Sequence, residues 1–331
     1  MKKHPLIILT AVFLLSLNGC ASAISDGTTE VTSKQSTSDI DEELQHMTDP
    51  NTSFTIAWFS DIQGYSESRP DISLTMADWI VDHAEELNIK YTIVTGDLVN
   101  NYDEEPEWNN ADQALSRVME SLPLFVVAGN HDINHSDQRY TAYLSRFGQA
   151  RFQDLPSVGG FYEGGQGRYD FLYVNGKSIL LLSVGYGMDE DGIAWMNEIL
   201  GQYPDYAAIL CLHSYLDPSG EYSTDGETLF PEVVEQNPNV RLVLCGHRHG
   251  VNHRHSVIDD DKDGMPDRTV YELVADYQEE EDYGSGYLCL LTFNTQEDTM
   301  TVTSYSPYLD DYNYFQDDLG IENFTVTLPL N

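Results

Sequence analysis

Positive charge is what this sequence has least of. Lys and Arg number 16 against 55 Asp and Glu, a formal net charge of −39 over 331 residues. So acidic a chain repels polyanions at long range, which excludes binding to long nucleic acids or to bare anionic lipid as a primary role and fits a surface adapted to an extracellular or saline setting. Cysteine is scarce too, with four in all. Cys20 stands alone near the start. Cys211, Cys245 and Cys289 each lie inside an apolar run, an odd number that reads as small buried hydrophobes and not as a disulfide framework. No apolar run reaches the length of a membrane span. The stretch from Leu6 to Leu17, behind Lys2 and Lys3, is short enough to read as the core of an export segment. Apolar residues nonetheless make up 41% of the chain, enough for a real core.

The export segment ends in Leu17-Asn18-Gly19-Cys20, which resembles the lipobox of bacterial lipoproteins. That resemblance implies a signal peptide over 1–20, a lipid on Cys20 as the sole membrane attachment, and a place on the bacterial cell surface; plain secretion is the alternative. Residues 21–50 are rich in Ser, Thr and Asp with almost no apolar pattern, as in a flexible tether. The folded domain is expected over 51–331, acting as a monomer.

Within that domain short apolar runs alternate with helical patterns. Strands are predicted over 54–60, 91–96 and 124–129, with helices near 71–88 and 106–121 between them, which implies parallel βα units. The first helix places Ile72, Met76, Trp79, Ile80, His83 and Leu87 on one face, with His83 at the core edge. A helix near 136–148 leads to strands over 169–175 and 178–185 that read as a hairpin about Asn175-Gly176. Then come a helix near 190–201, a strand over 207–213, a helix near 226–236 and a strand over 240–247. The remainder carries strand-like runs near 252–258, 269–275, 286–294, 299–305 and 323–329. No internal repeat is visible, so the class is mixed α/β closed by β structure.

In open α/β sheets functional groups gather beyond the carboxyl ends of the strands. The run "VVAGNHDIN" over 126–134 shows the pattern here, an apolar strand ending in Gly129, Asn130, His131 and Asp132. A turn uses Gly, Asn and Asp but does not ask for His. Asp61 and Gln63 follow the first strand, Asp97 the second, and His213, His247 and His249 the later ones. One such tip would read as a cap or turn; five together read as a metal site. Carboxylate and imidazole suit divalent or trivalent first-row metals, and amide carbonyls add neutral oxygen donors. Two ions about 3.5–4 Å apart need a bridging ligand, for which Asp97 is the natural candidate. Gly96, Gly129 and Gly246 permit the tight turns that bring these residues inward.

Asp61-Ile62-Gln63, Gly96-Asp97, Gly129-Asn130-His131-Asp132, His213 and Gly246-His247-Arg248-His249 together resemble the five ordered motifs of the calcineurin-like metallophosphoesterase superfamily. The resemblance implies a four-layer αββα sandwich of two mixed sheets with a dinuclear metal site at the strand tips, holding Fe, Mn, Zn or similar ions. One ion would take Asp61, Gln63, Asp97 and His249; the other would take Asp97, Asn130, His213 and His247. His131 would stand beside the metals and assist the transition state or leaving group. Gln63 occupies a place where the family commonly has His, and its carbonyl is a harder, weaker donor, which implies a looser site or a harder ion there. The implied function is metal-dependent hydrolysis of a phosphate ester, by a water that the two cations make acidic. Arg248 or Arg254 would add positive charge, while His135, His253 and His255 read as outer or surface residues.

A second acidic stretch, "DDDKDGMPD" over 259–267, places Asp259, Asp261, Asp263 and Asp267 at loop positions 1, 3, 5 and 9. This resembles EF-hand-type calcium loops, although Val270 stands where a closing Glu is expected; an acidic solvated turn is the competing reading. Two rivals to the phosphatase or phosphodiesterase reading stay open. One is a nuclease or nucleotide phosphodiesterase, and the other a non-catalytic metal-binding surface lipoprotein.

Overall fold

The computed structural model describes residues 49–331, apart from 135, 137, 138, 317, 318 and 331. The export segment, Cys20, nearly all of the tether and His135 lie outside the described residues. In chain order the elements are β1 (Ser53–Phe59), α1 (Gln63–Ser68), α2 (Pro70–Asp82), β2 (Ile89–Val94), α3 (Glu105–Met119), β3 (Leu124–Val126), α4 (Thr141–Phe147) and α5 (Gln149–Phe152). There follow β4 (Val158–Tyr162), β5 (Gly167–Val174), β6 (Lys177–Val184), α6 (Glu190–Gln202), β7 (Ala207–Cys211), α7 (Thr224–Leu229) and β8 (Val240–Cys245). The chain closes with β9 (Gly250–Ile258), β10 (Arg268–Asp276), β11 (Leu288–Asn294), β12 (Thr299–Ser306), β13 (Asp311–Tyr312) and β14 (Asn323–Thr327).

Strands that alternate two apolar faces must be covered on both sides. In β1, Phe54, Ile56 and Trp58 face one way and Ala57 and Phe59 the other. The first set packs against Ile179 and Leu181 of β6, Ile209 of β7 and Leu242 of β8. The second packs under Ile72, Met76 and Ile80 of α2 and Trp108 of α3. On the far side Leu180 and Leu182 meet Met196 and Ile199 of α6. Helix, sheet, sheet, helix is therefore the layer order, as the motifs imply.

The first sheet runs β13-β12-β11-β1-β2-β3 with β14 also on β12, parallel from β1 to β3. The second runs β4-β5-β6-β7-β8-β10-β9, parallel from β6 through β8 to β10. The 175–176 hairpin joins β5 to β6 as expected. Cys211, Cys245 and Cys289 are buried free thiols. Burial pushes Cys245 and Cys289 up to about 12. No helix among the described residues is long and apolar enough to cross a membrane.

Several predicted bounds move, each for a local reason. The helix expected over 71–88 stops at Asp82, where His83 turns back: its Nδ1 lies 2.9 Å from Trp79 O and its ring stacks on Trp79. Asn88, in the left-handed region, then donates to Ser53 O and swings the chain into β2. The helix expected near 136–148 starts only at Thr141, because Asn134 and Arg139 pair as a β-bridge. The helix near 226–236 becomes α7 followed by a π turn at Phe230–Val234, where Pro231 brings no N–H to the ladder. β4 was not foreseen; a Cβ at its Gly159 or Gly160 would collide with the Tyr169 ring.

Candidate metal centre

The site forms where the parallel strands of both sheets end. Asp61 follows β1, Asp97 follows β2, Asn130 and His131 follow β3, His213 follows β7 and His247 follows β8. Three of these residues leave their strands in the left-handed region, with φ of 57° at Asp61, 52° at Asp97 and 69° at His247. Such backbone is costly for non-glycine residues and persists where the surroundings enforce it. The neighbouring glycines show how closely the parts fit. A Cβ at Gly129 would strike the Asp97 carboxylate, and one at Gly246 would strike Asp61.

His213 is almost fully buried, and its Nδ1 lies 2.8 Å from Thr95 O. Donation there leaves Nε2 as an acceptor, 3.0 Å from Asn130 Oδ1 and 3.4 Å from Asp97 Oδ2. Three lone-pair atoms thus face one another across a space that only a proton or a cation can reconcile. Burial opposes a charge on His213, but Asp97 and Asp61 outweigh it and push its pKa up to about 10. Burial and His213 together hold His247 down to about 4. Burial raises the Asp61 carboxyl well above the carboxylate range, and Asp276 raises it further. Asp97, though buried, is held low by His213.

Asp61 Oδ2 accepts from His247 N at 3.0 Å, whereas its Oδ1 has no hydrogen-bond partner among the described residues. The same is true of buried Gln63 Oε1, while Gln63 Nε2 lies 3.5 Å from Asp97 Oδ2 and donates to Gln278. Ligand atoms of Asp97, His213 and His247 lie within 4.8 Å of one another. Orphaned buried oxygens, facing acceptors and excess negative charge are the environment that a multivalent cation satisfies, so these residues fit bound metal ions.

His131 sits half-buried at the rim. Its N–H donates to Asp97 Oδ1 at 2.8 Å, and its Nδ1 lies 2.8 Å from Asn100 O. Asp132, next along, is a clamp that motif reading did not foresee. Its Oδ1 accepts from Leu98 N and Val99 N and its Oδ2 from Gly129 N, tying the loop after β2 to the loop after β3. Burial and Asp97 push its pKa up to about 8.

His249 is not gathered with Asp97, His213 and His247. It is exposed, with Nδ1 3.2 Å from Asp276 Oδ2 and Nε2 3.6 Å from Glu279 Oε1. Arg248 pairs with Asp217 at 3.2 Å. Arg254 lies over the Tyr222 ring and 3.4 Å from Glu272. His253 stacks on Phe324, and His255 lies near Tyr271. In the acidic loop, oxygens of Asp259, Asp261 and Asp267 come within 4.8 Å of one another. Asp263 is not in that group; its Oδ1 accepts from Met265 N. A cavity beside His213 is lined by Tyr186, Met188, Ile193, Ser214, Asp225 and Leu229.

Residues 54–251 match the model of the calcineurin-like phosphoesterase family. A relative named "Uncharacterized protein YvnB", from Bacillus subtilis, is 42% identical over 280 residues; the match covers 84% of this chain and 22% of that protein, so the chain spans about a fifth of its length. A "Probable cyclic nucleotide phosphodiesterase" of Moraxella catarrhalis is 26% identical over 220 residues, 62% of this chain and 74% of that one. Purple acid phosphatase from yellow lupin seeds shares the fold with a TM-score of 0.54 at 11% identity, over 84% of this chain and 55% of that one. The chain belongs to the calcineurin-like phosphoesterase family, whose members hydrolyse phosphoric esters with bound metal ions.

Proposed function

We propose that the chain hydrolyses small phosphoric esters at a dinuclear metal centre on the outer side of the bacterial membrane. The observation that carries this reading is the meeting of Asp61, Gln63, Asp97, Asn130, His213 and His247 at the strand tips, with buried oxygens left over for cations. When bound, two cations supply Lewis-acid polarisation of the phosphoryl group and acidify the attacking water. Asp97 lies between the two ligand sets, its Oδ2 3.4 Å from His213 Nε2 and 3.5 Å from the Gln63 amide nitrogen, and would be the ligand shared by the two ions. Thr95 O, accepting from Nδ1, holds the His213 ring in its ligand tautomer. His131, its Nδ1 against Asn100 O, would give a proton to the departing oxygen.

A second reading within the same chemistry takes a small nucleotide as substrate. It is favoured by the Moraxella relative's name and by the Tyr186 ring, 5.4 Å from His247 and 5.9 Å from His213, on which a base can stack. The metal-stripped chain, reloaded with Mn, Zn or Fe and assayed on phosphomonoesters, cyclic nucleotides and other diesters, tests both. Turnover of none of them with any metal would leave the non-catalytic lipoprotein reading.

Two further expectations stand as proposals. Cys20 carries the lipid, so Cys20→Ala should release the protein from membranes; a variant that fractionates as the wild type does would end the anchor idea. The 259–267 loop would bind calcium through Asp259, Asp261 and Asp267.

A further inference from the structure

Gln63 poses a problem of orientation that imidazole would not. An amide has an acceptor end and a donor end, and only the carbonyl oxygen can ligate a cation. Something must fix which atom is the oxygen and which the NH2 group. In the structure Gln63 Nε2 donates to Gln278 Oε1 and also lies 3.5 Å from Asp97 Oδ2, and Gln278 Nε2 donates in turn to Asp276 Oδ2 at 3.1 Å. A carboxylate only accepts, so Asp276 fixes which end of the Gln278 amide faces it. That leaves Gln278 Oε1 for Gln63 and forces Gln63 to present its NH2 group there. With both amides flipped, Gln278 Oε1 would face Asp276 Oδ2, acceptor against acceptor. Gln63 Oε1 is the end left over, buried and without a partner among the described residues.

Asp276 is well placed to start this relay. It is 1% exposed at the end of β10, whose parallel pairing with β8 sets Val274 beside Cys245, next to Gly246-His247. Its Oδ1 accepts from Gln278 N at 3.0 Å. Its Oδ2 also lies 3.2 Å from His249 Nδ1; donation there leaves Nε2 of that ring with its lone pair. One carboxylate thus holds both Gln278, which stands behind Gln63, and His249.

We propose that Asp276 and Gln278 are positioning residues that turn the Gln63 carbonyl oxygen toward a bound metal ion and so allow Gln to stand as a ligand there. The proposal rests on Gln63 being a ligand. The test is Mn²⁺ titration of the metal-stripped full chain by calorimetry, with ions per chain from elemental analysis and metal-free melting as the fold check. Gln63→Ala should lose tight binding of one ion. Gln278→Ala should weaken that same ion by about 10–100-fold, the usual effect of removing a partner behind a ligand, and leave the other in place. Gln63→Glu presents two equivalent oxygens and needs no orienting partner, and its carboxylate would face Gln278 Oε1, acceptor against acceptor, so adding Gln278→Ala to it should leave affinity unchanged or raise it, never lower it. Should Gln278→Ala melt early, Gln278→Met keeps the bulk and removes both side-chain hydrogen bonds.

Full tight binding in Gln63→Ala would overturn the ligand assignment. Loss in Gln63→Ala with wild-type binding in Gln278→Ala would overturn the relay alone. Equal weakening when Gln278→Ala is added to the wild type and to Gln63→Glu would also overturn it, because the effect would then not pass through an amide.

Discussion

Asp170 and Asp61 are buried to nearly the same degree, at 0% and 2% exposure, yet their surroundings are opposite. Asp170 lies in the middle layer, held by Arg168 through two nitrogens and by Tyr91 and Ser157 through hydroxyls. The guanidinium rests over the rings of Phe125 and Phe152, so the carboxylate's charge is met within the protein, although Arg168 Nη1 has no hydrogen-bond partner among the described residues. Asp61 accepts one backbone N–H and leaves an oxygen without a hydrogen-bond partner among the described residues, with Asp276 and Asp97 raising its pKa after burial has done so. An isolated buried carboxylate is expensive unless something neutralises it. The Asp170 carboxylate is satisfied as folded. The tips are complete only with cations from solution.

Breaking each side should therefore fail differently. If Asp97 bridges two ions as proposed, Asp97→Ala should lower metal content and remove a stabilisation worth several kcal/mol in the transition state, so turnover should fall by about 10³-fold or more. Retained metals and near-normal turnover would contradict the bridging role. His131→Asn should keep both ions while kcat falls by about 10²–10⁴-fold, the range for a positioned proton donor. The loss should shrink for aryl esters, which leave readily as anions; equal losses on alkyl and aryl substrates would argue against proton transfer. Asp170→Ala should do the reverse of Asp97→Ala. It strands a buried guanidinium, at a cost of about 3–5 kcal/mol in denaturant unfolding, with metals per chain unchanged. Metal loss in Asp170→Ala without unfolding would erase the distinction between the two carboxylates.

Much of this arrangement is legible in the sequence because the tips follow apolar runs. The same fact blurs the strand ends. Val127, Ala128 and Leu212 are buried beyond the paired strands, so the apolar pattern runs on into the loops that carry the ligands. α1 went unread because its first residue, Gln63, is taken up by the motif. Asp276 and Gln278 give no local signal at all. They matter because β10 returns from a hairpin with β9 to lie parallel to β8, a non-local pairing that periodicity does not reveal. His249 is the mirror case: its motif is plain, yet its side chain stands exposed against Asp276 and Glu279.

The 259–267 loop offers a third kind of acidic cluster, exposed where the other two are buried. Water already solvates its carboxylates, so nothing there demands a cation as Asp61 does. Its side chains are spent on the turn itself: Asp259 accepts from Asp263 N and Gly264 N, and Asp267 from Asp260 N and Asp261 N. Those bonds pre-form the loop and bring three oxygens together, which favours weak calcium binding of the extracellular kind, with Kd on the order of 10⁻⁴–10⁻³ M. Binding to the folded state alone adds about 2.7 kcal/mol at 100 times Kd, the smallest effect in this series. Calcium in that excess should raise Tm by a few degrees, and Asp261→Ala with Asp263→Ala should remove the rise without changing ester hydrolysis. The same rise in the double variant would place the ion elsewhere, the buried tips included, and the contrast between exposed and buried acids would then rest on Asp61 and Asp170 alone.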